Sequence, residues 1–407
     1  MVKMLSYPAW VASLLALPLY TLAASTDEWK SRTIYQALTD RIAGGVNACG
    51  DLGEYCGGTW SGLSSKLDYI QGMGFNAIWI SPIVDNHPAG YHGYWTQDLN
   101  SINSNFGSQA DLEDLVQNAH NRGMFVMIDT VVNDMGSPYS ENSPSLLSQD
   151  SSYHQYCLTA PNDDNQTQVE DCWLANNLPD LVTTNSQIRS TFQTWVKGTM
   201  ATYEIDGLRI DAANHVEMDY WTDFLSAAGN PYADPTTLGT FIDNHDNPRF
   251  LNQQPDTSLL KSALAYVVLG RGIPIIYYGT EQGFNGGANP ANREDLWPTG
   301  YPTNGDIYQH ISKLTYARNS LGGLPNNDHV HLYNTDTVYA WSRANGKLIV
   351  LTSNQGSSYS GSTCFNTNMP QGTNYQSVFD SNTYQVQSGG TICVSLYEGL
   401  PEALLQQ

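Results

Sequence analysis

Arg209 and Asp211 stand two residues apart, and the pair His245-Asp246 follows 35 positions after Asp211. In an extended strand, residues i and i+2 point to the same face, so Arg209 would lie beside Asp211. A guanidinium there keeps the carboxylate ionised and oriented. Such carboxylates serve as nucleophiles, bases and stabilisers of developing positive charge. Asp129 and Asn133 form a third polar pair after an apolar run. Singly, an Asp after a strand more often caps a helix or opens a turn. Three such clusters at the ends of parallel strands meet at one rim, which is where a barrel does its chemistry.

The elements that would carry them are legible. Apolar, β-rich runs occur at Thr33–Leu38, Asn76–Ile80, Phe125–Thr130, Gly207–Ile210, Leu238–Ile242 and Ile273–Tyr277. Amphipathic helical patterns lie between them: Leu63–Met73, with Leu63, Leu67, Ile70 and Met73 in phase, and Asp111–Arg122, ended by Gly123. Strand–helix alternation implies a parallel sheet with crossover helices. A (β/α)8-type TIM barrel is the first expectation and a doubly wound sheet the second. The barrel would comprise residues 25–133 and 186–322, interrupted after the third strand by a polar inserted subdomain, residues 134–185. From residue 323 to 407, short strands with Gly/Ser/Asn turns predict a C-terminal antiparallel β-sandwich.

The net charge of −22 disfavours nucleic acid and anionic membranes as partners. A neutral substrate is compatible with it. Residues 1–24 read as a secretory signal: Lys3, an apolar run from Val11 to Leu22, and small residues at Ala23 and Ala24. The expected location is extracellular. Six cysteines fall into three close pairs, Cys49/Cys56, Cys157/Cys172 and Cys364/Cys393, which together with export predict three local disulfides. The sequon Asn165-Gln-Thr167 fits the same compartment.

The motifs resemble those of the α-amylase family. Gly207-Leu-Arg-Ile-Asp-Ala-Ala-Asn-His215 resembles its nucleophile segment, Phe241-Ile-Asp-Asn-His-Asp246 its transition-state carboxylate segment, and Asp129-Thr-Val-Val-Asn133 its first signature. Gly90-Tyr-His-Gly-Tyr-Trp95, Gln166-Thr-Gln-Val-Glu-Asp-Cys-Trp173 and Asn289-Pro-Ala-Asn-Arg-Glu294 look like secreted fungal members. The resemblance implies a retaining glycosidase acting on α-1,4-glucan, a starch-like polysaccharide or maltooligosaccharide, by endo-cleavage or glucan transfer. It makes Asp211 the nucleophile and Asp246 the transition-state stabiliser. His92, Tyr94, Trp95, Arg209, His245 and Arg293 would bind substrate. Asn133, Glu170, Asp180 and the backbone carbonyl of His215 would hold a structural calcium ion, whose preference is for oxygen ligands. A monomer is the family default.

One part is missing. A retaining glycosidase needs a nucleophile and a proton donor. The family's donor is a Glu at the end of the fifth strand, in an apolar-Gly-Glu-Val type motif, and no such motif exists here. After Asp211 the chain has one helical stretch near Asp219–Ala228 and then runs through Gly229–Pro235 into the strand before His245. A complete barrel needs two further βα units there, each of about 30 residues. The expected fold is therefore a barrel incomplete in its fifth and sixth strands, and the alternative function is a non-catalytic glucan-binding homologue. Asp134 and Asn214 also stand where the family has His and Lys.

Overall fold

The computed structural model describes residues 23–160, 164–229, 237–326, 328–380 and 382–407. Most of the segment read as a secretory signal lies outside them. Six strands, β1 (Ile34–Ala37), β2 (Ala77–Ile80), β3 (Phe125–Thr130), β4 (Gly207–Ile210), β5 (Gly239–Thr240) and β6 (Ile273–Tyr277), form one parallel sheet. Their spatial order is β4-β3-β2-β1-β6-β5. The first strand thus pairs with the last, Ile34 opposite Ile275, which is the closing seam of a barrel. A doubly wound sheet would instead reverse its order beside β1. The circle is broken between β4 and β5, which do not pair among the described residues.

The open flank explains where the structure departs from the apolar pattern. Of the run Leu238–Ile242, only Gly239 and Thr240 pair as strand, and Leu238 and Phe241 are 61% and 48% exposed. A strand with a neighbour on one side only has half its ladder and little apolar cover. Strands β1 and β2 are buried throughout, whereas Leu208, Arg209 and Ile210 of β4 are half-buried.

Around the sheet, the helix Gln109–His120 starts at a capping box made by Ser108 and Asp111 and buries Leu112, Leu115, Val116 and Ala119. The expected helix Leu63–Met73 is two short helices, Trp60–Ser64 and Leu67–Gly72. The chain breaks at Ser65–Lys66, yet Leu63, Leu67, Ile70 and Met73 are all fully buried, so core contact rather than helical continuity sets their spacing. The helix Thr26–Lys30 closes the barrel floor. Its Trp29 indole donates to the Asp206 carbonyl, and the ring meets Phe125 edge-on at 5.3 Å. Gly207 permits this, because a Cβ there would lie 2.7 Å from the Trp29 ring.

On the outside of the barrel, Asp206 Oδ2 lies 2.9 Å from His120 Nε2 and also accepts from the Val126 amide. The Asp206 hydrogen bond raises the His120 pKa, with burial opposing it. A raised histidine pKa contributes stability that is complete below the unfolded value, near 6.5, and is lost as pH rises through the folded value. Chemical denaturation should show up to about 1 kcal/mol less stability at pH 8 than at pH 5 from this pair, a difference reduced in His120→Gln. An unchanged pH difference in the variant would remove the pair from the account.

The described part of residues 134–185 has three 3₁₀ turns and one short helix, Gln166–Asp171, tied by the disulfide Cys157–Cys172. A second disulfide, Cys49–Cys56, closes a loop after β1. Beyond residue 323, the run Val330–Ser342 is a hairpin of two strands, Val330–Asn334 and Val338–Arg343, within a six-stranded antiparallel sheet. A two-stranded sheet, Gly361–Asn366 with Thr391–Leu396, carries the third disulfide, Cys364–Cys393. Phe365, Ile392 and Val394 from it pack with Ala340, Ile349, Leu351 and Leu404 of the larger sheet. The buried Arg343 guanidinium fastens this unit to the barrel by donating to the carbonyls of Leu269 and Gly270, and it holds the start of the unit through those of Leu324 and Asn326. Among the described residues, no helix is long and apolar enough to cross a membrane.

Candidate active site

At the C-terminal ends of the strands, one buried aspartate organises the rim. Asp129, at the end of β3, is 2% exposed. It accepts from Arg209 of β4 at 2.9 Å, from the Trp79 indole of β2 at 3.0 Å and from the Tyr94 hydroxyl at 2.7 Å. Arg209 also reaches Asp211 Oδ1 at 2.5 Å, as their same-face spacing predicts. Burial pushes the Asp129 carboxyl up to about 6, against the pull of Arg209. Burial works against the Arg209 charge too, but Asp129, Tyr94 and Asp211 outweigh it and hold the guanidinium above its usual value. Arg209 is therefore a fixed cation between two carboxylates.

Tyr94 joins this cluster to the next strand end. Its hydroxyl lies 2.9 Å from His245 Nε2, with the two rings within 7° of parallel. On the other side of that imidazole, the Gln36 amide of β1 lies 2.7 Å from Nδ1. With Gln36 donating to Nδ1, the ring proton sits on Nε2, aimed at Tyr94 and at Asp246 Oδ1, 3.3 Å away. Burial, then the charges of Arg293 and Arg209, push the His245 pKa well below its ordinary value, so the ring stays neutral. Arg293 fixes the backbone here by donating to the His245 carbonyl at 3.0 Å, and its guanidinium lies 3.8 Å from Asp246. The Asp246 side chain is 55% exposed, open to a ligand.

His92 also stacks on Tyr94, with ring centroids 5.5 Å apart. Its Nδ1 accepts from the Tyr94 amide, and burial lowers its pKa to about 3. Trp95 meets His92 edge to face at 4.8 Å. The structure thus brings His92, Tyr94, Arg209, Asp211, His245, Asp246 and Arg293 to one rim, with Trp95 against His92. Gln36 and Trp79 were not foreseen. Their only signal was an inward position on a strand, shared with ordinary core residues.

Among the described residues, no glutamate reaches the rim to act as an acid, and the one further carboxyl beside Asp211 is Asp134, buried and accepting from the Asn133 amide. Glu281 is buried between the hydroxyls of Tyr35 and Tyr69. Glu217 accepts from Thr183 and lies 3.7 Å from Arg189. Glu204 caps the helix before β4, at the opposite end of that strand. Among residues 230–236, which the structure does not describe, there is no glutamate.

The expected calcium ligands fall into two neighbouring pairs, Asn133 with Asp180 and Glu170 with the turn at His215. Asn133 and Asp180 are buried, and the carbonyl of Asn133 accepts from the Leu181 amide. Asn133 Oδ1 and Asp180 Oδ1 each lie buried without a hydrogen-bond partner. The helix holding Glu170 packs against the turn Ala213–His215, and Gln166 bridges the two by reaching both Glu170 Oε1 and the Asn214 carbonyl. Orphaned buried oxygens are what a hard cation satisfies. No group of three His, Cys, Asp or Glu that could hold a metal exists among the described residues. The expected set has only two such residues, the rest being an amide and a carbonyl.

This fold and rim define a barrel glycosidase with one flank open. A sequence model of the α-amylase catalytic domain matches residues 25–234 and 218–299. The chain belongs to the α-amylase family of glycoside hydrolases. It is 36% identical to an α-amylase of Saccharomycopsis fibuligera, over 98% of this chain and 97% of that protein. It is 41% identical to α-amylase 1 of Lipomyces kononenkoae over 75% of this chain, spanning only 62% of that longer protein. The solved α-amylase of Malbranchea cinnamomea superposes with a TM-score of 0.89 at 33% identity, covering 94% of this chain and 98% of that one. The S. fibuligera alignment runs over 486 positions against 407 residues here, so at least 79 positions have no residue in this chain. The two matched stretches of the family model meet at residues 218–234, beside the open flank.

Proposed function

We propose that this chain is a secreted, calcium-dependent α-amylase-family glycoside hydrolase acting on α-1,4-glucan, whose catalytic site lacks the general-acid glutamate. Asp211 is its nucleophile, Asp246 its transition-state stabiliser, and His92, Tyr94, Arg209, His245 and Arg293 its sugar-binding groups. The observation that carries this reading is the Arg209–Asp211 ion pair facing His245 and Asp246 across one rim. Asp211 is positioned to attack an anomeric carbon, and Arg209 keeps it oriented. Asp246, exposed beside the neutral His245 N–H, accepts from sugar hydroxyls as the ring gains positive charge. Two carboxyl groups flanking the bond are required for retention, and the second, the acid, is missing. Signal, disulfides and acidic charge support an extracellular setting. The expected result is binding of maltoheptaose in calorimetry, weakened at least tenfold in Asp246→Ala, with starch releasing reducing sugar at no more than a trace rate. No binding, or robust starch turnover, would overturn the reading.

Asn133, Glu170, Asp180 and the His215 carbonyl would hold calcium. When bound, the ion would supply a cross-link between residues 134–185 and the rim. Calcium at a hundredfold excess over its dissociation constant should stabilise the fold by about 2.7 kcal/mol. Thermal melts with calcium and with chelator should separate, and Asn133→Ala should merge them. Identical wild-type melts under both conditions would exclude the site.

A further inference from the structure

We infer that the cleft between the helix Ser186–Tyr203 and the hairpin of Val84–Asn86 with Thr96–Ile102 is a second carbohydrate site, which holds a segment of α-1,4-glucan outside the catalytic rim. The cleft shares no residue with that rim. The choice of α-glucan among neutral glycans rests on the reading of the rim above; the cleft's capacity for sugar rests on its own lining. Its volume is about 570 Å³, within the usual span of small-ligand sites, about 300–1,000 Å³. The helix lines it from Ser190 to Tyr203, about 20 Å at 1.5 Å per residue. A sugar unit is about as long as one helical turn, so there is room for a chain of several.

The lining excludes most classes of ligand. Among the described residues, none that lines the cleft is Asp, Glu, Lys, Arg or His, in a chain of net charge −22. An ion or a phosphate entering it would lose its water and gain no opposite charge. A purely apolar ligand fits no better. The Trp195 indole N–H and the hydroxyls of Ser190, Thr199, Thr202 and Tyr203 have no hydrogen-bond partner among the described residues, and an apolar occupant would bury them unpaired. What remains is a neutral molecule with an apolar face and many hydroxyls. A pyranose is such a molecule: its C–H face lies on an aromatic ring while its hydroxyls exchange hydrogen bonds at the edge. Trp195 and Tyr203, about two turns apart on the helix and both half-buried, supply the rings. Asn100 and Ser101, exposed on the hairpin, add polar groups from the other element.

Gly198 carries the argument from lining to ligand. It lies in the interior of an 18-residue helix, where only proline is less favourable than glycine. Close packing does not require it, because a Cβ added there would meet nothing within 4 Å. It is exposed and lines the cleft with Trp195 and Thr202, one turn to either side. The bare backbone keeps the floor between the two rings open.

The full chain, labelled with 5-fluorotryptophan, should be titrated with maltoheptaose and followed by fluorine NMR, the Trp195 resonance being assigned from Trp195→Phe. The expected result is a shift of that resonance in the wild type and in Asp246→Ala, where binding at the rim is weakened. In the Asp246→Ala background, Trp195→Ala should weaken the remaining binding about tenfold in calorimetry. Gly198→Gln should abolish the Trp195 shift while raising the melting temperature, since glutamine is the better helix former. That combination separates a filled floor from a damaged fold. An unmoved Trp195 resonance while maltoheptaose binds the rim would overturn this inference and leave the rim reading standing. A Trp195 shift without any Asp246-dependent binding would support the cleft and remove the rim reading. A shift that survives Gly198→Gln, or an equal one from laminarihexaose, would overturn the assignment of α-glucan to this cleft.

Discussion

Inserting between Ala228 and Leu238 the segment that the S. fibuligera relative carries at that place should raise starch hydrolysis by about 10²- to 10⁴-fold. The reason is chemical and structural at once. At least 79 aligned positions of that relative are absent here, and the matched stretches of the family model meet at residues 218–234. In space, that is where β4 and β5 fail to pair. Two βα units placed there would close the circle, cover Leu238 and Phe241, and deliver a carboxylic acid across the cleft from Asp211. The same insertion with its acid Glu changed to Gln separates the two contributions. It should gain thermal stability like the parent insertion and remain about as slow on starch as the present chain. Equal starch rates for the chain with and without the Glu-bearing insertion would show that the open flank is not what limits activity.

Removing the Arg209 charge should cost a large part of the fold's stability. Arg209→Met leaves Asp129 buried, 2% exposed, without its cation, and breaking a buried pair from one side costs about 3–5 kcal/mol. Asp129→Asn should cost less. Arg209 would still face Asp211, and the amide oxygen could still accept from Trp79 and Tyr94. Urea denaturation should rank them in that order, with Arg209→Met also losing maltoheptaose binding because Asp211 is no longer held. A cost below about 1 kcal/mol for Arg209→Met would show that Arg209 does not hold a buried Asp129 charge in the folded protein.

Much of this architecture was legible in the residues. The strands Phe125–Thr130, Gly207–Ile210 and Ile273–Tyr277 appear where apolar β-rich runs placed them, and Ile273–Tyr277, buried at every residue, shows why: a strand covered on both faces carries no charged side chain. Other elements were not legible, for local reasons. Leu63–Met73 keeps a helical apolar spacing that two short helices satisfy as well as one. Leu238–Ile242 has strand composition, but strand pairing needs a neighbour, and composition carries no information about whether the neighbour exists.

The sequence by itself determined which side chains were available for chemistry, that Arg209 and Asp211 share a face, and that too few residues separate Asp211 from Asp246 to build two further βα units. These follow from the two-residue period of a strand and from chain length, both local properties. Only the tertiary structure decided that Arg209 also grips Asp129 on the next strand, and that Trp79 and Gln36 brace Asp129 and His245. It also decided that the missing length leaves one open flank beside the nucleophile rather than a rearranged sheet. Those facts depend on which strands lie side by side. Lateral order joins residues as distant as Gln36 and His245, and no periodicity along the chain records it.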